Sequence, residues 1–129
     1  MKDFGNHNAK VIMIVDDDPK IRDLVKAMLE KYGFQTIDSE DGETALDQYT
    51  NQPADLVILD IGIPGMSGLQ CLEKILSLDQ KAKIIISSGH IDIDIHQQVL
   101  AKGAKAVLPK PYTIHELFDT VKTVLAENS

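Results

Sequence analysis

Cysteine, positive charge and long apolar runs are all scarce in this chain of 129 residues. A single cysteine, Cys71, cannot close an internal disulfide, so nothing calls for an oxidising compartment. Lysine and arginine number 13 against 20 aspartates and glutamates, a formal net charge of -7. That balance argues against gripping nucleic acid or an anionic membrane through bulk charge. No apolar run approaches the roughly 20 residues that span a bilayer. Met1 to Lys10 is polar and holds no hydrophobic signal segment. Repeats, low-complexity tracts, long linkers and a glycine-rich dinucleotide fingerprint are also missing. The expectation is a cytoplasmic domain with no membrane anchor and no direct contact with nucleic acid.

What is present is an ordinary globular composition, 43% apolar and 26% charged, in a length that suits one domain. Residues 1–9 read as a loose polar tail and 10–127 as the domain. Short unbroken apolar runs recur at Val11–Val15, Leu56–Leu59, Ile84–Ile86 and Ala106–Leu108. Runs of this kind suit strands buried on both faces, as in a parallel sheet. Gln35-Thr36-Ile37 is a weaker, more polar candidate that suits a sheet edge. Between the runs, apolar residues follow helical spacing. Ile21, Leu24, Val25, Met28 and Leu29 form one such face, behind Asp18 as N-cap and Pro19 at the first helical position. Similar faces surround Ala45–Tyr49, Leu69–Leu76, Ile95–Leu100 and Ile114–Leu125, with Ser67 and Thr113 as caps and Gly33 and Gly103 as stops. Five β–α units in succession predict an α/β fold: a doubly wound, five-stranded parallel sheet of the flavodoxin-like order 2-1-3-4-5, with helices on both faces.

Such sheets bind ligands beyond the carboxyl ends of their strands. The residues there are Asp16, Asp17 and Asp18 after the first run, Asp60 after the third, Ser87 and Ser88 after the fourth, and Lys110 between two prolines after the fifth. Each has a plain explanation alone: helix caps, a strand-to-loop residue, a turn, a solvated lysine. Together they have a chemical logic. Gathered carboxylates resist simultaneous ionisation, and a divalent cation such as Mg²⁺ removes the conflict. A lysine and a hydroxyl add partners for phosphoryl oxygens. A carboxylate can itself be the nucleophile and become an acyl phosphate. Asp60, alone on a central strand, is the best candidate for that role.

These residues resemble a known family. Val15-Asp16-Asp17-Asp18, the long segment from Asp55 through Asp60 to Gly68, Ser88-Gly89 and Lys110-Pro111 match the receiver domain of two-component response regulators, the CheY-like family, over Lys10 to Ala126. The resemblance implies that Asp60 accepts a phosphoryl group from a phosphohistidine on a sensor histidine kinase or a histidine phosphotransfer protein. It implies Mg²⁺ bound by Asp17, Asp60 and the backbone carbonyl of Gly62, with Asp16 acting through a water. Ser88 would hydrogen-bond the phosphoryl group, Lys110 would pair with it, and Pro64 and Gly68 would shape the loop after Asp60. An output face near Lys110 would meet a downstream effector, and dimerisation through the last two units stays open. In this reading the chain is a phosphoacceptor, with only self-phosphorylation and self-dephosphorylation as its chemistry.

Two positions depart from the family pattern. Receivers usually carry an aromatic residue three before the lysine, where this chain has Val107. The position two after the phosphoacceptor is Gly62, which offers no side chain to guide or exclude water. The competing reading is a Mg²⁺-dependent aspartyl-phosphate phosphohydrolase. Enzymes of that type usually carry Asp-x-Asp after the first strand, with the second Asp as general acid. Asp60 is followed by Ile61-Gly62, and no cap insertion is present. A flavodoxin-type cofactor site is disfavoured because three aspartates after the first strand would repel a phosphate. His90 reads as a loop histidine on the site rim, and His7, His96 and His115 lack metal-ligand spacing. Cys71 reads as a small packed residue.

Overall fold

The computed structural model describes residues 10–63, 65–89 and 91–127. The expected tail at 1–9, together with Pro64 and His90, lies outside the described residues. Five strands alternate with five helices: β1 (Val11–Val15), α1 (Pro19–Lys31), β2 (Gln35–Ser39), α2 (Gly42–Asn51), β3 (Leu56–Asp60), α3 (Gly68–Leu78), β4 (Ile84–Ser88), α4 (Ile93–Lys102), β5 (Ala106–Pro109) and α5 (Ile114–Ala126). The strands form one sheet in the order β2-β1-β3-β4-β5, and every pair is parallel. This is the flavodoxin-like arrangement that the alternating pattern predicts.

The pleat divides the apolar residues into two layers. Met13, Val15, Val57, Leu59, Ile84 and Ile86 pack against α2, α3 and α4. Ile12, Ile14, Leu56, Ile58 and Ile85 pack against α1 and α5. Alternate residues point to opposite faces, so continuous apolar runs serve both layers at once. Each fully buried isoleucine or leucine contributes about 1.5–3 kcal/mol by removal from water. β2 is longer than the sequence pattern suggests. It continues through Asp38 and Ser39, paired with Ile14 and Val15, because a neighbouring strand can satisfy its backbone whatever its side chains are.

The caps follow local chemistry. Asp18, Ser67 and Thr113 each accept a hydrogen bond from a backbone N–H of the first helical turn, and the last two close capping boxes with Gln70 and Glu116. Asp41 and Asp92 do the same for α2 and α4, so α4 starts at Ile93. Gly103 ends α4 in the left-handed region at φ 115°.

Gly68 opens α3 directly behind the loop that follows Asp60. A Cβ built there would lie 2.4 Å from Ile61 Cα and 2.8 Å from the Asp60 carbonyl oxygen. No side chain fits without moving the backbone beside Asp60. Gly68→Ala is therefore expected to cost about 1–3 kcal/mol, read as a lower urea midpoint. An unchanged midpoint would show that the loop yields freely.

Candidate functional site

The site is built at the carboxyl edge of the sheet by residues that share one face of the pleat. Asp60 pairs in register with Ser87, and Ser87 with Leu108 of the α1/α5 layer. Asp16 follows Ile12 and Ile14 of the same layer by the same alternation. Asp16 and Asp60 are 4% and 8% exposed, a depth that carboxylates reach only when paired.

The partner is Lys110. Its Nζ donates to Asp16 Oδ2 at 2.5 Å and to Asp60 Oδ2 at 3.0 Å. Its backbone N–H donates to the Ser88 carbonyl oxygen at 2.9 Å, which carries the β4–β5 ladder one step past β5. The lysine stem is thus held where its ammonium spans two carboxylates. Burial pulls the Lys110 pKa down, but its hydrogen bonds to Asp16 and Asp60 and their charges outweigh that. The net displacement is upward from the ordinary 10.5.

The other oxygens also have donors. Asp60 Oδ1 accepts the Gly62 N–H at 2.8 Å, and Asp16 Oδ1 accepts the Asp18 N–H at 2.9 Å. Asp17 projects beyond this pair and is exposed. One carboxylate oxygen each from Asp16, Asp17 and Asp60 lie within 4.8 Å of one another. Three carboxylates against one ammonium leave a local excess of about two negative charges. An oxygen-rich donor set with that excess suits a small divalent cation, so the residues present fit Mg²⁺.

The structure therefore brings Asp16, Asp17, Asp60, Gly62 and Lys110 together. Ser88 lies at the end of β4 and is buried, and its backbone carbonyl accepts the Lys110 N–H. Val107 pairs with Ile86 and packs with the α2–α4 layer. A valine stands there, and no ring can turn in or out. Tyr112 packs in the α1/α5 layer, and Cys71 is buried, its thiol pushed up to about 11 by desolvation first and by the Glu43 charge second.

Sequence reasoning missed a group of charges beside the acid cluster. Arg22 donates from Nε to Asp38 Oδ2 at 2.9 Å and from a terminal nitrogen to the Asp16 carbonyl oxygen at 2.7 Å. Lys26 donates to Asp38 Oδ1 at 3.1 Å. The available signal was the pair of cations spaced one turn apart on α1, opposite an acid on an edge strand. Glu43, at the start of α2, accepts the Met66 N–H at 3.1 Å and steadies the loop between β3 and α3.

Fold and site together define a CheY-like signalling domain of the α/β class. The model of the response regulator receiver domain family matches residues 12–122, and the chain belongs to that family. Sporulation initiation phosphotransferase F of Bacillus subtilis (strain 168) is 38% identical over 114 residues, spanning 88% of this chain and 92% of that protein. A CheY-like receiver domain protein from Methanospirillum hungatei JF-1 superposes with a TM-score of 0.87 at 32% identity, covering 90% of this chain and 93% of that one. CheY in a CheX-CheY-BeF3-Mg+2 complex from Borrelia burgdorferi also gives 0.87 at 32%, covering 91% and 90%. The chain is thus a receiver domain of two-component systems, and its relatives are signalling domains.

Proposed function

We propose that Asp60 accepts a phosphoryl group from a phosphohistidine on a sensor histidine kinase or histidine phosphotransfer protein, and that this shifts the domain between two states presenting different partner surfaces. One observation carries the reading: three carboxylates from two strand ends meet within 4.8 Å, with Lys110 bridging two of them. In the transfer, a carboxylate oxygen of Asp60 attacks phosphorus, the histidine N–P bond breaks, and the electron pair leaves on the imidazole nitrogen.

Asp17, Asp60 and the Gly62 carbonyl would hold Mg²⁺, with Asp16 reaching it through a water. When bound, the cation neutralises charge on the transferring group. Lys110 supplies a fixed cation that can pass from the carboxylates to a phosphoryl oxygen. Ser88 provides a hydroxyl from the neighbouring strand end. The Gly62 N–H, already on Asp60 Oδ1, is placed to stay with the acyl phosphate. The similar protein solved in a complex with BeF3 and Mg2+ supports a Mg²⁺-dependent reading of this site.

The output would pass to an effector protein or domain through the β5–α5 side, with a homodimer as another outcome of the same switch. Among the described residues no helix is long and apolar enough to cross a membrane. We place the domain in the cytoplasm, where kinases of this class present their phosphohistidine.

The test is intact-mass measurement after incubation with a small acyl-phosphate donor and Mg²⁺. One added phosphoryl group, removed when the cation is chelated beforehand, is expected. An unchanged mass with Mg²⁺ present would overturn the reading.

A further inference from the structure

The side chain of Asp17 lies on the surface of the acid cluster, while the backbone around it is tightly held. On one side, the Asp16 N–H donates to the Ser39 carbonyl oxygen at 3.1 Å, joining β1 to the end of β2. On the other, the Asp18 N–H closes onto Asp16 Oδ1 at 2.9 Å, and Asp18 in turn caps α1 through the Lys20 N–H. Between them lies the Asp16 carbonyl oxygen, which belongs to the peptide plane that carries the Asp17 nitrogen. Arg22 reaches that oxygen from the second turn of α1 at 2.7 Å.

Arg22 is itself anchored. Its Nε–H lies on Asp38 Oδ2 at 2.9 Å, and its side chain is only 16% exposed. A guanidinium is a rigid planar fork, so fixing one arm on Asp38 fixes where the other points. Lys26 makes the useful contrast. It pairs with the second Asp38 oxygen at 3.1 Å from the same helix, with no contact to Asp16 among its hydrogen bonds. Both cations tie α1 to β2, and Arg22 also holds the backbone of the acid pair.

We infer that Arg22 is a positioning residue for the metal site. It clamps the Asp16–Asp17 peptide so that the Asp17 carboxylate meets Asp60 in the arrangement a divalent cation needs. The inference rests on the proposed reading of Asp17 and Asp60 as Mg²⁺ ligands. It extends that site to a charge network of α1 and β2.

Electrostatics alone predicts the opposite of this inference. Removing a cation near three carboxylates strengthens their attraction for Mg²⁺. A clamp, once lost, weakens it, as loss of outer supporting contacts does elsewhere, by about 10-fold. The experiment is a Mg²⁺ titration followed by calorimetry on wild type, Arg22→Met, Arg22→Lys and Lys26→Met, with metal-free amide spectra of each. Arg22→Met is expected to bind Mg²⁺ about 10-fold more weakly and to shift the Asp17 amide resonance before metal is added. Arg22→Lys keeps the charge and is expected between Arg22→Met and wild type. Lys26→Met is expected to bind as tightly as wild type or more so, with the Asp17 resonance in place.

Equal or tighter Mg²⁺ binding by Arg22→Met, with wild type binding normally, would overturn the inference alone. So would equal weakening by Lys26→Met, since the Asp38 tie would then be the whole effect. A wild type that binds no Mg²⁺ would overturn the ligand assignment and the inference with it. Should Arg22→Met not fold, Arg22→Lys carries the test: wild-type affinity with an unmoved Asp17 resonance would overturn the inference.

Discussion

Asp60→Asn is expected to take up no phosphoryl group from an acyl-phosphate donor under conditions that label the wild type fully. The carboxylate is the nucleophile, and an amide nitrogen or oxygen at neutral charge is a far poorer one. The variant is also expected to fold. An amide matches the volume of the carboxyl group, and its oxygen can accept the Gly62 N–H that Asp60 Oδ1 now accepts at 2.8 Å. The loss is therefore chemical rather than structural, and two readouts separate these: intact mass for the transfer and a urea transition for the fold. Wild-type labelling in a folded Asp60→Asn would move the phosphoacceptor elsewhere, with Asp17 and Asp16 the next groups to examine.

Lys110→Met should give the second large effect, and its sign depends on the metal. The ammonium is held between Asp16 and Asp60 at 2.5 and 3.0 Å, with its side chain only 17% exposed. Removing one partner from a buried pair leaves charge without compensation, a loss of order 3 kcal/mol. In metal-free buffer the variant is expected to unfold at markedly lower urea. Mg²⁺ should return much of that stability, because the cation binds the folded carboxylates and its competitor is gone. Metal affinity is expected to rise, while partner binding after phosphorylation should change little, since no cation remains to leave the carboxylates for the phosphoryl oxygens. A Lys110→Met domain that bound Mg²⁺ more weakly and still responded fully to phosphorylation would contradict this role.

The pH dependence has a definite sign. Lys110 is held above its ordinary value of 10.5, so its ion pairs contribute fully below that pH and fade as pH rises through the folded-state value. The wild type should therefore lose stability relative to Lys110→Met only in strongly alkaline solution. Parallel urea titrations of both would show the gap closing there.

Much of the fold is legible because its signals are local. Apolar runs of three to five residues, helical spacing between them, and caps such as Asp18, Ser67 and Thr113 act within a few residues of one another. The boundaries that shifted are those decided by partners. β2 runs through Asp38 and Ser39 because β1 lies beside it, a long-range pairing that side-chain pattern does not encode. The candidate site was legible in a weaker sense. The chemical types of Asp16, Asp17, Asp60, Ser88 and Lys110 and their places after apolar runs could be read in one dimension. Arg22 and Asp38 could not. They meet only when α1 and β2 are placed against the end of β1, where one guanidinium touches both a carboxylate and a backbone oxygen.

By itself the sequence determined the alternation of strands and helices, and with it a parallel sheet whose carboxyl edge holds acids, hydroxyls and a lysine. Those follow from short-range periodicity and from the handedness of β–α–β connections. The tertiary structure alone decided which oxygen faces which cation. Lys110 is 94 residues from Asp16 and 50 from Asp60. Only the sheet register and the packing of α1 bring such distant groups within hydrogen-bond reach, because attraction between charges is effective at a few ångströms and the chain has no local means of setting that distance.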